Sequence, residues 1–245
     1  MKIKLARSTL VLKSVLLLGF LLVATVSVGQ DLRFQVWTDF NARFEVLKKL
    51  QVNAETGYRI EPESGVQNGY LRGTLRYSPN RIIALDLGLA NFNVWDPDII
   101  NSFEFRTFQF VLLNWPEIWE FNFKIRLGIE QRWFSFREID TNEFVHRARL
   151  RISLNSPYFG FWQGPSKLYL TTNFEVLRDL NDELLNTFVD EDRFMLGVGF
   201  LDNKNFRGEL HYQIMSYLDR DVQVLVRKMN LVRIRFYYYF SKRSG

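Results

Sequence analysis

Across most of its length this chain alternates apolar and polar residues in runs of ten or more, and a period of two sustained that far admits few folds. In residues 50–60, Leu50, Val52, Ala54, Thr56, Tyr58 and Ile60 share one face, while Gln51, Asn53, Glu55, Gly57 and Arg59 share the other. In residues 119–133, Trp119, Phe121, Phe123, Ile125, Leu127, Ile129 and Trp133 oppose Glu120, Asn122, Lys124, Arg126, Glu130 and Arg132. Near the C-terminal end Val232, Ile234, Phe236, Tyr238 and Phe240 oppose Arg233 and Arg235. Strands of soluble sandwiches commonly run to about five or six residues, whereas a tilted strand crossing a bilayer needs about 9–11. Alternation alone does not separate a membrane barrel from a sandwich; segment length, fully charged polar faces and an aromatic content of 16% favour the barrel.

The N-terminal residues bear on compartment. Lys2, Lys4, Arg7 and Lys13 occur without an acid, an apolar run covers residues 15–26, and the small residues Ser27 and Gly29 follow. Basic, apolar, then small is the order of a secretory signal peptide. The competing reading, a retained anchor, wants about 20 apolar residues, more than this run supplies. The expected organisation is a signal peptide at 1–29, cleaved before Gln30, and one barrel domain at 30–245. The net charge of +5 owes most of its excess to those four N-terminal cations. The remainder is nearly neutral, so the high pI does not point to nucleic acid, which requires a basic face on the folded domain. The chain has no cysteine, so an exported fold here is stabilised by packing or by lipid rather than by disulfides.

In residues 144–154, Ala148, Leu150, Ile152 and Leu154 oppose Arg147, Arg149 and Arg151, and weaker alternating segments cover 32–44, 70–77, 82–90, 102–113, 167–177, 193–201 and 206–217. The connections alternate in length. Short ones fall at 46–49, 78–80, 114–117 and 202–205; longer, acidic ones fall at 61–69, 94–101, 137–143, 178–192 and 216–221, as turns and outer loops of a barrel do. The connection at 155–166 breaks that rule. The segments number eleven, whereas bacterial single-chain barrels have an even count, so the expectation is ten, with the first segment outside, or twelve. The fold class is therefore all-β: a single antiparallel transmembrane β-barrel of about 10–12 strands.

Several segments carry a resemblance. Trp37, Glu55 to Arg59, Glu104 with Arg106, the strand HRARLRISL (His146 to Leu154), NFEVL (Asn173 to Leu177) and EDRFMLGVGF (Glu191 to Phe200) follow one another in an order and spacing that covers most of the chain. In these the chain resembles the bacterial outer-membrane family known as domain of unknown function 2490. The resemblance implies an outer-membrane barrel and no known reaction, so it transfers no catalytic residue.

The inward face holds the candidate functional residues. A lumen charge cluster is expected from Glu55, Arg59, Glu104, Arg106, Arg126, Glu130, Arg147, Arg149, Arg151, Glu175, Arg193, Arg207, Glu209, Arg233 and Arg235, with Asp39, Asp86, Glu120, Arg72, Arg76 and Arg132 as further inward charges. Charges away from bulk water must be paired or hydrated. One reading is a cross-strand ion-pair lattice filling the interior; the other is an electropositive lumen that selects anions. His211 shares a face with Arg207 and Glu209 and is a candidate base, whereas His146 has outward parity. No serine-elbow, phosphate-loop or zinc-helix motif is present. The acids at 179–192 lack the glycine and ligand order of a calcium loop. Trp115, Trp119, Trp133, Tyr237, Tyr238 and Tyr239 are expected in interfacial girdles.

The expected function is that of a cell outer-membrane β-barrel with no enzymatic reaction, no cofactor and no metal. It serves as a structural element or as a narrow, charged, anion-preferring pore. Its expected partners are outer-membrane lipid, lipopolysaccharide and the barrel-assembly machinery, with no nucleic acid. A membrane-embedded hydrolase and a soluble periplasmic β-sandwich binding protein are the alternatives.

Overall fold

A computed structural model describes residues 33–97, 101–136, 141–160, 166–180, 190–202, 205–219 and 224–240. The expected signal peptide lies outside them, as does most of the acidic stretch at 179–192. The strands are β1 (Arg33–Leu47), β2 (Leu50–Ile60), β3 (Gln67–Tyr77), β4 (Ile83–Trp95), β5 (Ser102–Asn114), β6 (Asn122–Phe136), β7 (Thr141–Asn155), β8 (Phe159–Gly160), β9 (Lys167–Asp179), β10 (Glu191–Asp202), β11 (Phe206–Asp219) and β12 (Val224–Phe240). Among the described residues there is no helix.

Eleven of these strands close on themselves. Each of β1 to β6 pairs with the next, β7 pairs with β9, and β9 to β12 follow in order. The two-residue β8 folds back on β9 within the connection that broke the length rule, where Leu170 N donates to Ser156 Oγ at 2.8 Å. β12 then pairs with β1 in parallel, from Arg33 opposite Met229 to Phe44 opposite Phe240. That seam corrects two expectations. The count is eleven rather than ten or twelve, and the sheet is mixed rather than wholly antiparallel. Reversing direction at each connection makes the first and last of an odd number of strands run the same way, so an eleven-strand barrel closes only through a parallel pair.

Stagger is the second property of the closure. Following opposed residues once round, from Asn155 in β7 through Thr171, Gly197, His211, Arg233, Trp37, Arg59, Asn68, Val94, Ser102 and Phe136, returns to β7 at Thr141. A return displaced by about 14 residues on eleven strands belongs to a steeply tilted barrel, with strands about 35–45° off the axis.

The two faces separate as the alternation requires. In β4 Leu89 is 58% exposed and its neighbour Ala90 3%. Outward positions at mid-strand are apolar, among them Leu85, Leu87, Val111, Leu127, Ile129, Leu150, Phe194 and Leu210. Towards the end with the longer connections they turn polar, at Asn91, Asn93, Gln131, His146, Arg178, Asp192 and Asn230. Aromatic rings collect outside at both rims: Trp133 packs on Phe105 and Phe144 at one, and Phe44 stacks on Phe240 at the other.

Inside, the barrel is too narrow for every ring to point at the axis. Glycines let rings lie flat along the wall. A Cβ on Gly57 would fall 2.4 Å from the Tyr70 ring, and one on Gly128 would fall 2.6 Å from the Phe110 ring; each ring belongs to the residue directly opposite.

Three further expectations are corrected. Trp119 and Glu120 have φ of 50° and 67° and form the tight turn between Ile118 and Phe121, so β6 begins at Asn122 and Glu120 is no lumen acid. The connection expected at 216–221 is shorter, because β11 continues to Asp219 and β12 begins at Val224. Tyr237 is buried inside and Tyr239 shares its parity, so neither belongs to a girdle, whereas Trp115, Trp119 and Trp133 are exposed.

Candidate functional site

All fifteen residues of the expected charge cluster fall on inward parity, and most of them meet. Glu104 accepts from Arg106 Nε at 2.8 Å and from Arg132 Nε at 2.6 Å. Glu130 holds Arg106 Nη1 at 3.1 Å and Arg149 Nη1 at 2.6 Å. Glu175 accepts from Arg149 Nε at 2.6 Å and Arg151 Nε at 2.7 Å, with Arg193 Nη1 at 3.7 Å. The β5, β6, β7 and β9 strands thus interleave arginines with fewer acids, each shared by two or three guanidinium groups. Opposed side chains on neighbouring strands are close enough for such bonding, and bonds to ionised partners are the short ones.

A second group joins the closure. Arg233 donates to Asp39, Arg235 Nε lies 3.4 Å from it, and the Tyr70 hydroxyl sits between the carboxylates of Asp39 and Glu55. Arg207 and Glu209 stand apart, nearer the short turns. Glu209 receives hydroxyl hydrogen bonds from Tyr169 and Tyr237 and has His211 Nε2 at 3.2 Å, outside hydrogen-bonding alignment. His211 is fully enclosed and does not line the cavity described below.

Among the described residues Arg59 and Arg126 have no ion pair, and neither does Arg43, which lies over the Tyr237 and Tyr239 rings nearer the short turns. The Arg59 guanidinium carbon lies 3.9 Å from the centre of the Trp37 ring and within 5.6 Å of Tyr70 and Phe92. Arg126 lies 3.8 Å over Phe110. Both carry a buried Nε with no hydrogen-bond partner among the described residues. Cation–π contact stabilises such a group by about 0.5–2 kcal/mol and leaves that N–H unsatisfied.

Arg59 and Arg126 face an interior cavity of about 610 Å³ that reaches the end with the longer connections, where Asn68, Asp96, Ser102 and Glu143 line it. In the other direction its lining stops at Arg126, Arg151 and Arg235. Eleven arginines line it against five carboxylates. Glu130 and Glu175 lie sealed behind the arginines and do not reach its surface. Part of the wall is apolar: Trp37, Met215 and Met229 pack into one cluster with Leu231, and Leu177 also borders the cavity.

The alternation located the charges but passed over this apolar wall, along with Tyr70, Asp179 and Glu191. Asp179 pairs with Arg147 at 2.6 Å, and Glu191 with Arg193. The signal for them was present, since all carry inward parity. Among the described residues no group of three or more acids or histidines is arranged to hold a metal ion.

Compared with known families, residues 34–221 match the family described as protein of unknown function (DUF2490). Compared with curated proteins, the chain matches none.

Proposed function

The chain belongs to the protein family of unknown function DUF2490, and from that premise and its interior we propose that it is an outer-membrane β-barrel enclosing a cation-rich, anion-accepting chamber rather than an open pore. The observation that carries this reading is the sharing of Glu104, Glu130 and Glu175 among two or three arginines each, with Arg59 and Arg126 left to aromatic rings alone. Unneutralised charge away from bulk water is costly, and an entering anion offsets that cost.

Occlusion has a separate support. Asp39 and Glu130 face the interior with no exposed surface, whereas a water-filled bore leaves lumen groups wet. Barrels of about eight strands are filled by their own side chains, and eleven strands lined with arginine and tyrosine are only modestly wider. The membrane assignment rests on strand length, the apolar outward band and the aromatic rims. The polar outward groups Gln109 and Gln131 hydrogen-bond to each other at 3.1 Å, which lowers the cost of placing them in lipid. Outer-membrane lipid, lipopolysaccharide and the barrel-assembly machinery are the partners of this reading, and no reaction is assigned to His211.

Fractionation and planar-bilayer recording test it together. The protein is expected in the outer membrane, with small anion-selective currents. Recovery from the soluble periplasm in carbonate would overturn the membrane assignment, and large, steady, weakly selective currents would overturn the chamber.

A further inference from the structure

The chamber has two unlike sides. Over much of its surface it is arginine, and along β1, β11 and β12 it is Trp37, Met215 and Met229. Barrel interiors are ordinarily polar because water meets them, so apolar side chains bordering a cavity call for an apolar occupant. Apart from Met1, every methionine in the chain (Met195, Met215 and Met229) is buried inside on β10, β11 and β12. Methionine is unbranched and polarizable, and surfaces built from it adapt to chains of differing shape. Arg59 stands where the two sides meet, its guanidinium over the Trp37 ring and without an ion pair among the described residues. A volume of about 610 Å³ falls in the usual range for small-molecule sites, about 300–1,000 Å³.

We infer that the cavity binds a single-chain amphiphile with an oxyanion headgroup, its alkyl chain along the methionine–tryptophan wall and its headgroup on Arg59. This rests on the anion-chamber reading and adds the chain to it. Carboxylate and phosphate headgroups both fit a guanidinium fork. A fatty acid and a lysolipid-like phosphate share that chemistry.

The test uses protein expressed from the full chain and purified folded in a neutral maltoside detergent, with hexadecanoate, hexadecyl phosphate, hexadecanol and inorganic phosphate as probes. Native mass spectrometry is expected to show one hexadecanoate or hexadecyl phosphate per chain. Hexadecanol and inorganic phosphate should each bind at least tenfold more weakly. The tighter of the two anionic probes identifies the headgroup source. Arg59→Gln, which breaks no ion pair, is expected to weaken both anionic probes roughly tenfold or more, as befits loss of a charged hydrogen bond, and to leave hexadecanol unchanged. Met215→Gln is expected to weaken every probe that carries a chain and to spare phosphate. Chain-brominated hexadecanoate should quench tryptophan fluorescence, and Trp37→Phe should remove most of that quenching. Heat-modifiable gel migration confirms that each variant is folded.

Inorganic phosphate binding as tightly as hexadecyl phosphate would overturn the amphiphile and leave the anion chamber standing. Hexadecanol binding as tightly as hexadecanoate would overturn the headgroup assignment. Absence of binding by all four probes, together with unselective conductance, would remove both readings.

Discussion

The wall made by β5, β6, β7 and β9 and the wall made by β10, β11, β12 and β1 arise from the same alternation in one continuous sheet, yet their interiors are built differently. On the first, Glu104, Glu130 and Glu175 each bind two or more arginines, so every group depends on its neighbours. On the second, Trp37, Met195, Met215, Met229 and Leu231 fill much of the space towards the longer connections through contacts that are individually weak and easily rearranged, and charge pairing is confined to smaller groups such as Asp39 with Arg233 and Arg235. Period two assigns a side chain to a face. It does not say whether that face is held by a shared charge or by soft packing, and the two respond differently to change.

The largest effect is expected on the charged wall. Among the described residues, Glu175→Gln takes from Arg151 its only ion pair, from Arg149 one of two and from Arg193 its longer one. Breaking a buried pair of this kind costs about 3–5 kcal/mol, to be read as a lowered urea midpoint of folding in detergent. A loss below about 1 kcal/mol would mean that the lattice is not coupled and that the contrast between the walls is false.

Next comes the outward face of the same strands, which serves as the reference for both walls. Leu127→Arg is expected to cost about 2–4 kcal/mol in a bilayer and to block assembly, scored by outer-membrane yield. Arg126→Leu, one residue away and inward, should assemble better while reducing anion selectivity. Equal behaviour of the two would refute the assignment of faces.

A smaller effect is expected on the soft wall. Met229→Leu conserves volume and should cost less than about 1.5 kcal/mol by the same urea midpoint. A penalty matching that of Glu175→Gln would show that this wall is as specifically interlocked as the other.

The smallest stability effect should come from Arg59→Gln, which sits between the two. It loses ring contacts worth about 0.5–2 kcal/mol but also removes a buried cation that has no counter-ion, so the two offset and its urea midpoint should barely move while anion selectivity falls. A large loss of stability would mean that Arg59 holds the walls together rather than awaiting an anion.

Much of this is legible in the sequence. Long alternating segments located eleven strands, and parity placed Glu55, Arg126, Arg149 and Arg233 inside. The misreadings came from setting a residue type against that parity. Tyr237 and Tyr239 were expected in a girdle because tyrosines favour interfaces, although Arg235 on the same face already marked them as inward. Glu120 was carried inward by extending the pattern through a turn whose left-handed backbone at Trp119 and Glu120 no alternation reveals.

By itself the sequence determined which face each side chain takes, because alternation is a property of the extended backbone and needs no distant partner. It also contained the odd count, from which a parallel closure follows once the ring is known to be closed. Only the tertiary structure decided which residues share a level. Trp37 meets Met215 and Met229 because β12 closes on β1, and Glu175 meets Arg151 because β7 pairs with β9 in one register. A slip of one residue there would turn each strand's charges outward. Register and stagger are set by the whole ring at once, and no segment carries them alone.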